Sequence, residues 1–359
     1  MSSGRLTTNA RAGAPVVVSR AAALDRLRAV LANSGSSNTG DGQRGIDTAR
    51  ATQALAAELL STDPERVGVA STGMIATELP REPLLAGVRA CVDRLGPDAA
   101  GLSEAIVTTD RGPKRACLEV ALPSGSVRLA AQAKGAGMIS PRFATMFCFV
   151  ETDADLPAET IDLLLGVTVK RSFDRISVDG QLSTSDTVFA LANGASGVRV
   201  EPESADELAL GEAMDALLRQ LAVEIVADGE GAERIGRVIV RGEADAVEPV
   251  ARAVANSPLV KTALHGADPN FGRVLQATGQ ALGAAGLPSA VDLEVQGRQL
   301  VSGGEAIPLD PDEWRALEDA VRAPEVEYVL TLPGEGGETE VFFSDLSEEY
   351  VTLNSDYST

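Results

Sequence analysis

The chain has 359 residues, 44% of them hydrophobic, and a formal net charge of −21. That is enough sequence for one large or two medium cores, and the acidity argues against nucleic-acid and anionic-membrane partners, which favour basic surfaces. No apolar run approaches the roughly 20 residues a membrane helix needs, and the three cysteines lack metal-ligand spacing, so a cytoplasmic protein is expected, with no zinc site.

Alanine and leucine recur at helical spacing over Ala21 to Ala32 and Asp47 to Leu60, predicting two helices joined by the polar loop Asn33 to Gly45. Val67 to Ala70 reads as a strand ending in the turn Ser71-Thr72-Gly73, and Glu82 to Leu95 as a helix with Pro83 in its first turn. Strands are expected at Ala105 to Thr109, Ala116 to Leu122 and Val127 to Gln132, the last two joined by the hairpin turn Pro123 to Ser126. Beyond position 150 the pattern predicts helices over Ala158 to Val169, Ala205 to Val226, Ala244 to Ala255, Phe271 to Ala285 and Asp312 to Ala323. Between and after them strands are expected near Arg175 to Val178 and at Thr187 to Ala192, Arg237 to Val240, Lys261 to Leu264, Ala290 to Val295, Glu327 to Leu332 and Glu340 to Phe343. The sum is an α/β or α+β protein, mixed sheets layered with helices and no internal repeat.

The inventory of reactive groups is short. The one histidine, His265, lies in a turn-like stretch and reads as a bystander, while Cys148, between Phe147 and Phe149, reads as a small buried hydrophobe. Asp228-Gly-Glu-Gly231 and Gly334-Glu-Gly-Gly337 have acidic residues and no following Lys-Ser/Thr, so they read as turns and not phosphate loops. Lysine is scarce: only Lys114, Lys134, Lys170 and Lys261 occur.

One segment stands apart, Lys134-Gly-Ala-Gly-Met-Ile-Ser-Pro-Arg-Phe-Ala-Thr145. Glycine and proline here disfavour regular structure and permit strained backbone. Thr145 Oγ could then attack the accessible carbonyl of Ala144, and scission would free an α-amine of pKa about 8, a general base for the same hydroxyl. A loop joining two strands is the plainer reading of the same residues.

The segment resembles the processing site of the ornithine acetyltransferases, the glutamate N-acetyltransferases of arginine biosynthesis. Similar family segments run along nearly the whole chain: Thr7-Thr-Asn9, Ala14-Pro15, Ser71-Thr-Gly-Met-Ile75, Leu79-Pro80, Thr108-Thr-Asp110, Pro113-Lys114, Ile176-Ser-Val-Asp-Gly180, Ser183-Thr184, Asp186-Thr187, Asp228-Gly-Glu-Gly-Ala232, Ser257-Pro-Leu-Val-Lys-Thr-Ala263, Asp268-Pro-Asn270 and Asn354-x-Asp356-Tyr357. Departures are Leu182, Ser185, His265 and Phe271, together with a start almost at the Thr-Thr-Asn segment, from which either a misassigned start or a trimmed edge of the first sheet is expected.

The resemblance implies self-cleavage between Ala144 and Thr145 into an α chain, residues 1–144, and a β chain, residues 145–359. It implies Thr145 as nucleophile, Thr72 and Gly73 as the oxyanion hole, and substrate contacts from Thr108, Lys134, Thr145, Glu230, Asn354 and Thr359. Its activity would be ping-pong acetyl transfer from N2-acetylornithine to glutamate through an acetyl-Thr145 ester. No cofactor is implied, acetyl-CoA is a possible second donor, and the assembly would be an α2β2 heterotetramer. A self-processing amidase or aminopeptidase of related architecture is the alternative, and an uncut binding protein a second.

Overall fold

The computed structural model describes residues 1–140 and 146–356, and the chain divides into two compact units. Of the described residues, the first takes Met1–Asp174 and Gln181–Ile225; the second takes Arg175–Gly180 and the chain from Val226 to Asp356. Both sides of position 144 therefore lie in the first unit. The fold class is the mixed α/β architecture that the sequence predicts.

Among the described residues, the first unit holds a five-stranded sheet. Its strands lie in the order Ser2–Leu6, Thr187–Ala192, Phe147–Thr152, Gly125–Lys134 and Lys114–Leu122. Strand alternation gives the sheet two apolar faces. On one, Leu129, Val150 and Ala190 meet Ile161 and Leu164 of the helix Ala158–Arg171 and Leu210 and Met214 of the helix Ala205–Ala227. On the other, Phe147, Phe149 and Phe189 cluster with Leu27, Ala70 and Ile106.

That second face leads to a parallel pair, Ala29–Asn33 with Val67–Ser71, backed by the helices Ala14–Arg20 and Gly42–Leu59. Both strands of the pair end at loops that grip each other. Ser37 N donates to Met74 O at 3.0 Å, Ala76 N to Thr39 O at 2.8 Å, and Ser36 Oγ to Thr77 O at 2.8 Å.

In the second unit the described residues form a seven-stranded sheet in the order Glu305–Ala306, Arg298–Ser302, Asp292–Val295, Glu325–Thr331, Ile235–Glu243, Gly336–Ser344 and Ile176–Ser177. Its apolar face, with Val238, Val240, Leu293 and Leu330, packs on the amphipathic helices Ala244–Ala255 and Phe271–Ala285, and Leu317 of Pro311–Ala320 joins the same core.

Three expected elements are corrected. The helix over Ala21 to Ala32 is instead a helix over Ala14–Arg20, started by Pro15, followed by the strand Ala29–Asn33. Ladder partners at Val67–Ser71 override the helical propensity of the alanines. The strand at Ala105 to Thr109 is the end of a short helix, Ala100–Ala105, and a turn in which the Asp110 carboxylate accepts from Thr108 N at 3.1 Å. Lys261 to Leu264 belongs to the helix Pro258–His265, whose first turn is capped by the Ser257 side chain; the Ser-Pro start signal was in the sequence. At the edge of the first sheet, Ser2–Leu6 pairs antiparallel with the strand Thr187–Ala192. The strand Arg298–Ser302 and the helix Glu348–Asp356 carried no expectation.

Candidate active site

Lys134 is the last residue of its strand, and the ladder pairs it with Phe147, the first residue of the next. The connection 135–146 therefore joins two adjacent strands, and Thr145 and Ala144, the expected nucleophile and cleavage residues, lie in it outside the described residues. Thr359 is likewise outside them.

Two predicted residues meet the amine of a third. Lys134 Nζ donates to Thr108 Oγ1 at 2.7 Å and reaches Thr72 Oγ1 at 3.5 Å. Thr72, Lys134 and Met146, the neighbour of Thr145, line one cavity of about 30 Å³ together with Ser183, Ser185 and Asp186. Of the residues to which the resemblance gives a role, the fold thus brings Thr72, Thr108 and Lys134 together.

The turn that bears Thr72 is held by its backbone. Thr72 N donates to Asn33 O at 3.0 Å, and Ser71 Oγ to Asn33 Oδ1 at 2.6 Å. With that N–H committed, the expected oxyanion-hole role would fall to the Thr72 hydroxyl and the Gly73 N–H. Gly73 sits at φ +120°, and a Cβ there would lie 2.4 Å from the carbonyl carbon of Gly35. Only glycine allows the two loops to approach this closely.

Beneath the amine lies a carboxylate to which the motifs assign no role. The Asp110 side chain is fully buried and accepts from Lys114 Nζ at 2.8 Å and from Gly135 N at 2.7 Å, both on Oδ1, while Oδ2 is 3.6 Å from Lys134 Nζ. Burial alone would push the Asp110 carboxyl up, but the ammoniums of Lys134 and Lys114 outweigh it and hold it at about 2. Lys134, only 7% exposed, is pushed down by burial while Asp110 acts to keep it charged. Spacing hinted at this cluster, since Asp110 and Lys114 are four apart, but Lys134 joins it only through the antiparallel pairing of Lys114–Leu122 with Gly125–Lys134.

In the second unit Glu230 and Asn354 form their own pair. Glu230 is buried in the turn after the helix Ala205–Ala227, and Asn354 Nδ2, from the helix Glu348–Asp356, donates to its Oε2 at 2.7 Å. Gly231, at φ +68°, lets the turn lie against that helix, for a Cβ would fall 2.5 Å from Tyr350 N. The Asp228 to Gly231 run is therefore a turn, as its sequence indicates.

Cys148 is fully buried, and burial pushes its thiol well above the ordinary range, so it packs as a small hydrophobe, as expected. His265 ends a helix with Nδ1 2.8 Å from Asp345 Oδ2, an orienting partner that the sequence did not reveal. Nearby, the buried Lys261 donates to Ser344 O and lies 5.4 Å from the centre of the Phe343 ring; burial pushes it down to about 7 although Asp179 and Asp345 act in the opposite sense. Among the described residues no cluster of His, Cys, Asp and Glu is arranged to hold a metal ion, and no helix is long and apolar enough to cross a membrane.

Comparison with known proteins agrees with these motifs. The sequence profile of the ArgJ family matches residues 1–359. An arginine biosynthesis bifunctional protein ArgJ from Symbiobacterium thermophilum is 41% identical over 99% of this chain and 89% of its own length. A glutamate N-acetyltransferase from Methanocaldococcus jannaschii is 38% identical over 99% of this chain and 90% of its own. The crystal structure of an arginine biosynthesis bifunctional protein ArgJ from Bacillus halodurans superposes with a TM-score of 0.53 and 30% identity, covering 58% of this chain and 98% of that one. With its motifs in family order from Thr7 to Asp356 and the profile matched from end to end, the chain belongs to the ArgJ family.

Proposed function

We propose that this chain is an acyltransferase that moves the acetyl group of N2-acetylornithine to glutamate, after cutting itself between Ala144 and Thr145. The observation that carries the reading is the convergence of Thr72 and Thr108 on the buried ammonium of Lys134, beside a cavity that Thr72, Lys134 and Met146 line. Family membership supplies the reaction class, and the two kinds of relative, bifunctional ArgJ protein and glutamate N-acetyltransferase, agree on it.

In the maturation step Thr145 Oγ attacks the Ala144 carbonyl, the peptide nitrogen leaves as the new α-amine, and water hydrolyses the ester. Residues 1–144 and 145–359 are the resulting chains. The α-amine, of reference pKa about 8, then takes the proton from its own Oγ. Oγ attacks the acetyl carbonyl, the Thr72 hydroxyl and the Gly73 N–H stabilise the oxyanion, and the α-amine returns its proton to the departing amine of ornithine. One such donor contributes about 3 kcal/mol. Glutamate's amine then attacks the acetyl ester and regenerates Thr145.

Lys134 meets a substrate carboxylate or the developing charge, and Thr108 holds the ammonium. Glu230, oriented by Asn354, pairs with the side-chain ammonium of ornithine. Thr359 completes the substrate contacts. Amide is exchanged for amide, so no cofactor is needed; acetyl-CoA serves as a second donor in the bifunctional form of the activity. The enzyme works in the cytoplasm as an α2β2 assembly of its own fragments.

The decisive experiment is Thr145→Ala, read on a denaturing gel and by N-acetylglutamate formation. The expected outcome is a single uncut chain without transfer, and a variant that still cuts itself would sink the assignment. In the parent, acetate release without glutamate at the rate of transfer would point to the amidase alternative.

A further inference from the structure

We propose that Asp110, shared with Lys114, is the positioning residue of the transfer site: its anchored carboxylate fixes where the Lys134 ammonium stands and ties it to Gly135, the first residue of the cleavage connection. The proposal rests on the role given to Lys134 above.

The geometry distinguishes a counter-ion from a clamp. Asp110 Oδ1 is occupied by Lys114 Nζ at 2.8 Å and Gly135 N at 2.7 Å, and Oδ2 accepts from Thr108 N at 3.1 Å. Those bonds hold the carboxylate in place. The Lys134 ammonium stands 3.6 Å from Oδ2, close enough for strong attraction in a dry site yet longer than a good hydrogen bond. Its donors are directed instead to hydroxyls, Thr108 at 2.7 Å and Thr72 at 3.5 Å, the side where substrate is handled.

Charge is required because the site is dry. Thr72 and Thr108 are neutral and cannot offset the desolvation of an ammonium that is only 7% exposed. Lys134 feels two carboxylates, Asp110 and Asp186, and one like charge, Lys114. Lys114 draws on the same carboxylate, so it weakens the hold of Asp110 on Lys134 and sets how readily that amine loses its proton. Asp110 also joins the two jobs of the site. The same oxygen that holds Lys114 holds the backbone N–H of Gly135, so one carboxylate sets both the substrate-facing amine and the start of the segment that is cut.

The test uses two variants with opposite expected signs. Asp110→Asn keeps shape and acceptor oxygen but removes the charge, so the alkaline limb of kcat/KM for transfer moves down by about one pH unit or more, with a loss on the order of 100-fold at the parent optimum. Lys114→Gln removes a like charge and leaves Asp110 to Lys134, so the limb moves up. A merely structural role would lower the amount of active enzyme in both without moving either limb.

The chain has only four lysines, so the titration of Lys134 can also be followed directly by NMR of the ε-¹³C-labelled protein, with its signal assigned by loss in Lys134→Arg. This readout stands even if the parent makes no N-acetylglutamate, a result that would refute the transfer reading and not the positioning one. Should Asp110→Asn fail to fold, Lys114→Gln alone decides. Folded variants whose Lys134 titrates as in the parent overturn the proposal.

Discussion

Lys134 and Phe147 face each other across neighbouring antiparallel strands, the terminal pair of a ladder that runs from Leu129↔Thr152 to Lys134↔Phe147. The buried Lys134 amine and the strand that follows position 145 are thereby fixed within one sheet.

The ladder predicts that scission at 144 leaves the fragments together. Chain 1–144 contributes three strands of this sheet, Ser2–Leu6, Lys114–Leu122 and Gly125–Lys134, while chain 145–359 contributes Phe147–Thr152 and Thr187–Ala192. The two fragments are expected to co-elute on size exclusion in native buffer and to separate only in denaturant. Separation in native buffer would mean that the shared sheet does not hold them.

Gly73→Ala should damage both fold and chemistry. Its backbone at φ +120° and the Cβ approach to Gly35 at 2.4 Å force the loop pair apart, at a cost of about 1–3 kcal/mol. Moving the proposed oxyanion donors should lower kcat by about 10²–10³-fold. Urea denaturation and steady-state transfer kinetics check the two parts separately, and parent-like kcat would remove Gly73 from the oxyanion role.

Glu230→Gln preserves an acceptor for the Asn354 amide, now 2.7 Å from Glu230 Oε2, but removes the charge proposed to pair with ornithine. KM for N2-acetylornithine should rise about 10- to 100-fold, the worth of a hydrogen bond to a charged group, with little change in thermal stability. Unchanged KM would show that the ammonium binds elsewhere.

Lys261 gives a pH dependence. Burial pushes its ammonium from 10.5 down to about 7. Between those values the unfolded chain binds a proton that the folded chain gives up, so this residue makes unfolding free energy rise with pH, by at most ~1.4 kcal/mol per pH unit. Below the lower value both states hold the proton and the slope vanishes. Lys261→Met should remove this component, seen as a flatter stability profile across the window in denaturant titrations and greater stability below it. Parallel profiles for variant and parent would contradict the burial argument.

Much of the fold was legible because its signals are local. The helix Ala244–Ala255 and the hairpin Lys114–Leu122 with Gly125–Lys134 declare themselves by period and turn residues. The misread segments are short ones. At Ala29–Asn33 the residues favour a helix on their own, and only the ladder to Val67–Ser71 makes them a strand. At Pro258–His265 the local signal was present, in Ser257 and Pro258, and the short apolar run outweighed it.

By itself the sequence determined the family, the order of its motifs, and the residue types able to act without histidine: hydroxyls, an amine, a few carboxylates. Those come from composition and from spacing along the chain. Tertiary structure alone decided that Lys134 is buried, that Thr72 and Thr108 meet its ammonium, and that Asp110 balances it from beneath. Thr72 is 62 residues from Lys134, and Thr108 is 26. No local pattern encodes contacts at those separations; they exist because sheet pairing and a dry interior bring charges together and make each one need a partner.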